Sequence, residues 1–305
     1  MLSEAITRYV ALHHAMGFKF RNQAGVLRHF AAFAEPRGDD HVRTETVLAW
    51  AAEAPSAAGR RGRLRIVRRF AQYMQAEDER YEVPSAHAFG RAKRQPRMPH
   101  IYTPDDIRLL LHAAAQLTPI GSIRPLTYVT LFALIASTGL RISEALALQL
   151  DQLTPAGLLI EQTKFRKSRL VPLHPTAQQG LHRYMVRRRQ VGGTCRSLFV
   201  SLWGTGLTYS TVYPVFLDLM RSIGLRGGPG SPGPCIHDLR HTFAVRALEK
   251  CTGSAEEIGR HVLGLSTYLG HAHPSDTYYY LQATPKLLES IAHAGERLFQ
   301  EGGQS

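Results

Sequence analysis

The stretch HDLRHTF, residues 237–243, sets a histidine three positions ahead of an arginine. Positions i and i+3 of an α-helix share a face, so His237 and Arg240 can reach one anion together. By itself, His-x-x-Arg in a basic protein is ordinary surface salt chemistry. Its neighbours along the chain give it weight. Upstream stand TGLRISEALAL (138–148), with Arg141, and TKFRKSRLVPL (163–173), with Lys164. Downstream comes YLGHAHPSDTYYYLQATP (268–285), with His271 and the consecutive Tyr278, Tyr279 and Tyr280.

The composition around these motifs suits an anionic partner. Lys plus Arg number 37 against 24 Asp plus Glu in 305 residues, a formal charge of +13 with histidine neutral. Arginine carries most of the balance, and its planar fork pairs with phosphate oxygens two at a time, which favours nucleic acid over an acidic protein. The three cysteines, Cys195, Cys235 and Cys251, are odd in number and too far apart for C-x-x-C, the usage of a reduced, cytoplasmic protein. The N-terminal MLSEAITRYV lacks a basic-then-apolar signal pattern, and the most apolar run, Leu126 to Leu140, is too short for a membrane span. The H-E-x-x-H signature is absent and no acidic cluster suits Mg²⁺, so no metal is expected; with no phosphate-binding glycine loop, no cofactor is expected either.

Periodicity divides the chain into a helical domain over 1–90, a basic linker over 91–102 and a second, mostly helical domain over 103–305. In the first, Tyr9, Val10, Leu12 and Phe18, then Val26, Leu27, Phe30 and Phe33, carry the helical periodicity. Its most basic element, GRRGRLRIVRRFAQYM, has six arginines between positions 60 and 69. On a helix Arg61, Arg65, Arg68 and Arg69 share one face, opposite Leu64, Val67, Ala71 and Met74, and the single sign of the run points to phosphate contact. The linker adds Arg91, Lys93 and Arg94. Thr103, Pro104, Asp105 and Asp106 form a helix start ahead of the stripe Ile107, Leu110, Leu111 and Ala114. A buried helix is expected over 123–138, closed by Gly139, and AGLLIEQTKFRKSRLVPLH (156–174) reads as two short strands around a basic turn. The fold class expected is mainly α with a small β-sheet.

Taken in order, Arg141, Lys164, His237-x-x-Arg240, His271 and a tyrosine resemble the site of the tyrosine recombinase, or phage integrase, family, and the resemblance spans essentially the whole chain. Family members commonly carry Gly-Lys-Gly where this chain has Thr163-Lys164-Phe165; Lys164 is retained because KSRLVPL aligns the following strand without a gap. In the family the nucleophile lies nine residues after the histidine, which selects Tyr280 and leaves Tyr278 and Tyr279 as packing or DNA-facing neighbours.

The resemblance implies a helical core-binding domain and a catalytic domain closing on double-stranded DNA as a C-shaped clamp. It implies cleavage and rejoining through a 3′-phosphotyrosyl link, for integration, excision or transposition. It further implies a tetramer on paired sites, with accessory proteins or sister recombinases as further partners. Two guanidiniums can stabilise the charge that develops on the nonbridging oxygens. His237 is the candidate base for a phenol of pKa near ~10, and Lys164 the candidate acid for the leaving oxygen. His271 adds a hydrogen bond, and Glu144, one turn after Arg141, is placed to orient that arginine. The C-terminal Leu287, Leu288, Ile291 and Leu298 form an apolar face that packs either on the same chain or on a neighbouring protomer. The competing readings are a type IB topoisomerase, a catalytically inactive DNA-binding accessory protein of the same fold, and an RNA-binding helical protein.

Overall fold

The computed structural model describes residues 1–90, 98–161, 168–191, 194–251 and 254–270. It divides into two compact units, Met1–Pro96 and Arg97–Ser305.

The described residues of the first unit form α1 (Leu2–Ala15), α2 (Arg21–Ala34), α3 (Thr44–Ala52) and α4 (Ala57–Gln75), with a 3₁₀ turn after α2. Each helix turns one apolar stripe inward. Leu2, Ile6 and Tyr9 of α1, Leu27 and Phe30 of α2, Trp50 of α3, and Leu64, Val67 and Phe70 of α4 are all buried in one cluster. The Trp50 indole N–H donates to His29 Nδ1 at 2.9 Å, so its one polar group is satisfied. Leu12 and Phe18 do not join this core; they are 38% and 59% exposed. The chain reverses at Gly17 (φ 82°) just before Phe18. Phe20 instead closes the corner, stacked on His13 with ring centroids 4.0 Å apart.

In the second unit, α5 (Pro104–Ala115) starts as its sequence dictates. Thr103 Oγ1 accepts from the Asp106 N–H at 3.1 Å and the Asp106 carboxylate accepts from the Thr103 N–H at 2.8 Å, a reciprocal cap. Just ahead of it, Tyr102 is stapled to a later helix, α10 (Ile236–Glu249): its N–H donates to Thr242 Oγ1 at 3.0 Å and its carbonyl accepts from Arg246 at 2.6 Å. The central α6 (Ile123–Thr138) is buried along most of its length and packs on α5, α8 (Pro175–Gln190) and α10. Between α7 (Ile142–Ala147) and α8 runs an antiparallel sheet in the order β1 (Leu153–Thr154), β2 (Gly157–Ile160), β3 (Arg169–Val171). Its register pairs Leu158 with Val171 and Ile160 with Arg169. The two strands expected within residues 156–174 are present as β2 and β3, and the two-residue β1 joins them. Among the described residues two further helices are α9 (Tyr209–Ser222) and α11 (Ala255–Leu269). Among the described residues no helix is long and apolar enough to cross a membrane.

Gly139 shows how tightly the elements close. It ends α6 in the left-handed region, φ 64°, where a residue with a Cβ is strained. A Cβ there would also lie 2.5 Å from Phe243 Cδ1 of α10 and 3.0 Å from Leu269 Cδ2 of α11. The glycine of TGLR is therefore the contact at which three helices meet. Gly139→Ala should destabilise the second unit by about 2–5 kcal/mol, from left-handed strain plus overpacking, read as a fall in the urea midpoint at unchanged slope.

Candidate active site

The turn after Gly139 carries Arg141, which caps the N-terminus of α7 with extended backbone (φ −66°, ψ 142°). Glu144, one turn on, holds both ends of that arginine: Oε2 accepts from the Arg141 backbone N–H at 3.0 Å and Oε1 from Nη1 at 2.9 Å. Arg141 Nη1 also donates to the Leu269 carbonyl at 3.3 Å, and Nη2 to the Gly270 carbonyl at 3.0 Å.

Arg240 reaches the same place from α10. Its side chain donates from Nη1 to the Gly139 carbonyl and from Nη2 to the Leu269 carbonyl, both at 2.7 Å. These carbonyls lie at the C-terminal ends of α6 and α11, where backbone acceptors go unmet within the helix and the dipole is negative, a setting that stabilises a cation. Arg240 is 1% exposed, whereas the Arg141 side chain is 31% exposed. The structure thus brings together the two arginines that the sequence places 99 positions apart, with one backbone oxygen between them.

His237 stands one turn before Arg240, its ring edge-on to His241 with centroids 4.6 Å apart. Its pKa is lowered to about 4 by loss of hydration, then by the His241 and Arg240 charges and more weakly Arg141, with Asp238 opposing. The imidazole is therefore neutral at pH 7, the state in which it can accept a proton. Tyr268 stacks on Phe243 at 5.6 Å, fastening the Tyr-Leu-Gly end of α11 to the His-x-x-Arg helix.

Arg169, at the start of β3, is a site residue that the sequence motifs do not single out. It donates from Nη1 to Glu144 Oε1 at 3.2 Å and from Nη2 to Oε2 at 2.8 Å. The Glu144 carboxyl is held below its ordinary range: burial pushes it up, and Arg169 and then Arg141 outweigh that. The signal was available in the alternation of the strand. Arg169 shares the inward side with buried Val171 while Leu170 between them is exposed, and an inward arginine requires an anion.

Lys164, His271 and Tyr280 lie outside the described residues, as do Leu287, Leu288, Ile291 and Leu298. Of the basic residues expected to meet DNA, Arg91, Lys93 and Arg94 also lie outside them. Arg61, Arg65, Arg68 and Arg69 of α4 all line one open groove in the first unit, about 660 Å³, bounded on its other side by Ala86, His87 and Gly90. Arg68 Nε donates to the Pro84 carbonyl at 2.9 Å and so also ties that wall to the helix. Arg63, by contrast, turns inward, donating to the Trp50 carbonyl at 2.8 Å with its head group over the indole.

Comparison with known proteins identifies the family and the fold. The sequence model described as "Phage integrase family" matches residues 101–286. The chain belongs to the phage integrase family. A Sinorhizobium fredii (strain NGR234) protein described as an integrase/recombinase, y4rB, is 37% identical over 309 residues, 98% of each chain. The tyrosine recombinase XerD of Mycobacterium tuberculosis is 32% identical over 210 residues, 66% of this chain and 63% of XerD. A lambda integrase tetramer bound to a Holliday junction superposes with a TM-score of 0.60 at 18% identity, covering 92% of this chain and 76% of the integrase. In this phage integrase family chain a mostly helical unit with a small sheet surrounds the two arginines.

The His237 shift has a measurable sign. Its folded pKa, about 4, lies below the ordinary 6.5, so the unfolded chain binds more protons between these values. The neutral ring's contribution to stability is complete above about pH 6.5 and is lost as pH falls toward 4. NMR titration should find the His237 imidazole changing charge near 4 in the DNA-free chain, and His237→Gln should remove that part of the acid sensitivity. For the groove, Arg65 and Arg69 are exposed. Replacing both with alanine should weaken DNA binding and reduce the slope of log K against log salt by about 2, measured by fluorescence anisotropy; an unchanged slope would make the face merely solvated.

Proposed function

We propose that the chain is a site-specific DNA recombinase that cleaves and rejoins duplex DNA through a 3′-phosphotyrosyl intermediate. The observation that carries this reading is the convergence of Arg141 and Arg240 on the Leu269 carbonyl, with His237 one turn away on the same helix as Arg240. Two positioned guanidiniums match the charge that builds on the nonbridging oxygens when a phosphodiester becomes five-coordinate.

In the proposed step the Tyr280 hydroxyl oxygen attacks phosphorus as its proton passes to neutral His237. The bond to the 5′ oxygen breaks, and Lys164 gives that oxygen a proton. The reverse sequence, with a 5′-hydroxyl of the partner duplex attacking the phosphotyrosine, rejoins the strands and conserves the bond energy. A bound phosphodiester also supplies the negative charge that offsets the arginines around His237, raising its basicity when substrate is in place. His271 donates a further hydrogen bond to the phosphate.

The α4 groove, with Arg61, Arg65, Arg68 and Arg69, and the segment holding Arg91, Lys93 and Arg94 would contact backbone phosphates, since such contacts position a duplex without reading its bases. The likeness to an integrase tetramer supports assembly of this chain as a tetramer on paired sites.

The test is a denaturing-gel assay for a covalent protein–DNA adduct, using duplexes from the DNA flanking the chain's own coding sequence, with peptide mapping of the modified residue. The expected result is an adduct on Tyr280 that disappears in Tyr280→Phe. An adduct on Tyr278 or Tyr279 would move the nucleophile, and tight binding of that DNA with no adduct would favour an inactive DNA-binding accessory protein.

A further inference from the structure

The arginine pair is supported by a third arginine. Both oxygens of Glu144 are shared: Oε1 takes Arg141 Nη1 at 2.9 Å and Arg169 Nη1 at 3.2 Å, while Oε2 takes the Arg141 backbone N–H at 3.0 Å and Arg169 Nη2 at 2.8 Å. The Arg169 and Glu144 side chains are 13% and 9% exposed, so the clamp is nearly dry. The Arg169 head group also lies against Gly270. A Cβ on that residue would fall 2.8 Å from Nη1 and 3.1 Å from Cζ, and the Gly270 carbonyl is the one that holds Arg141 Nη2. Arg169 therefore touches both supports of Arg141, the carboxylate on one side and the end of α11 on the other.

Charge arithmetic says what this contact does. Glu144 with Arg141 alone is a neutral pair, and a carboxylate with a single partner competes with phosphate for that partner's fork. A second cation on the same carboxylate leaves the cluster one net positive charge and fixes the carboxylate from its far side, so the exposed part of Arg141 remains available to an incoming anion. We infer that Arg169 is a positioning residue for strand cleavage: it holds Glu144, and through it the Arg141 guanidinium, in the orientation and charge state that a scissile phosphate requires. This rests on the recombinase reading above.

The test compares wild type, Arg169→Ala and Arg169→Lys for DNA affinity and for the rate of covalent adduct formation. Each is run on a duplex with an ordinary phosphodiester, and on one with a neutral methylphosphonate at the position that wild type cleaves. Arg169→Ala should slow adduct formation on the phosphodiester by about 10²–10³-fold, the scale of losing one oxyanion donor, with affinity changed by less than about threefold. On the methylphosphonate, which asks less of Arg141, the deficit should shrink to under about tenfold, as it should for Arg141→Ala. Arg169→Lys, which keeps the charge and loses the fork, should fall between and covers the case in which the alanine variant fails to fold. Adduct formation within about threefold of wild type on the phosphodiester overturns the inference. So does an equal deficit on both substrates, which would mark Arg169 as a fold contact. A wild-type chain that forms no adduct overturns the recombinase reading, and this inference with it.

Discussion

One backbone oxygen, the carbonyl of Leu269, accepts from Arg240 at 2.7 Å and from Arg141 at 3.3 Å. Two donor nitrogens on one acceptor can stand no farther apart than about 6 Å, where two unit charges repel by about 3 kcal/mol at an effective dielectric near 20. Something must offset that repulsion continuously for the pair to exist. The negative ends of α6 and α11 supply one part, through the carbonyls of Gly139, Leu269 and Gly270, and Glu144 supplies the other. Much of the second unit can be read as the scaffold that brings these groups together: Gly139 lets three helices touch, Phe243 and Tyr268 stack across two of them, and Tyr102 fastens the entering chain to α10.

Arginine has several distinct occupations in this chain, and only the surroundings separate them. Arg240 is buried against helix ends, Arg169 is forked onto a carboxylate, and Arg63 lies over an indole. Arg65 and Arg69 on the same helix as Arg63 face the solvent groove. A count of positive charge therefore overstates the surface available to an anion, because the most constrained guanidiniums are internal supports.

What was legible in the sequence was mostly local. The cap at Thr103 to Asp106 depends on four adjacent residues, and the inward stripes of α1 and α4 on one helical period, so both could be read directly. Arg141, His237 and Arg240 were legible from their contexts and order, although nothing in one motif states its distance from another; that comes from the packing of α6, α10 and α11. The Glu144–Arg169 clamp was not seen because its partners are 25 positions apart, one on a six-residue helix and the other on a three-residue strand, too short to declare a pattern. Phe18 departs from the expected pattern because a hydrophobic residue past the Gly17 reversal no longer follows the helical period.

Both arginine head groups are anchored largely by main-chain oxygens, those of residues 139, 269 and 270. Such anchors have no side chain to delete. An alanine scan would pass over Leu269 and record only lost packing, while the acceptor that joins the two guanidiniums stayed in place. What can move these oxygens is a change in the path of the backbone at the two left-handed glycines. The vulnerability of the site is thus written in dihedral angles more than in residue identities, and a survey of substitutions ranked by side-chain chemistry would miss it.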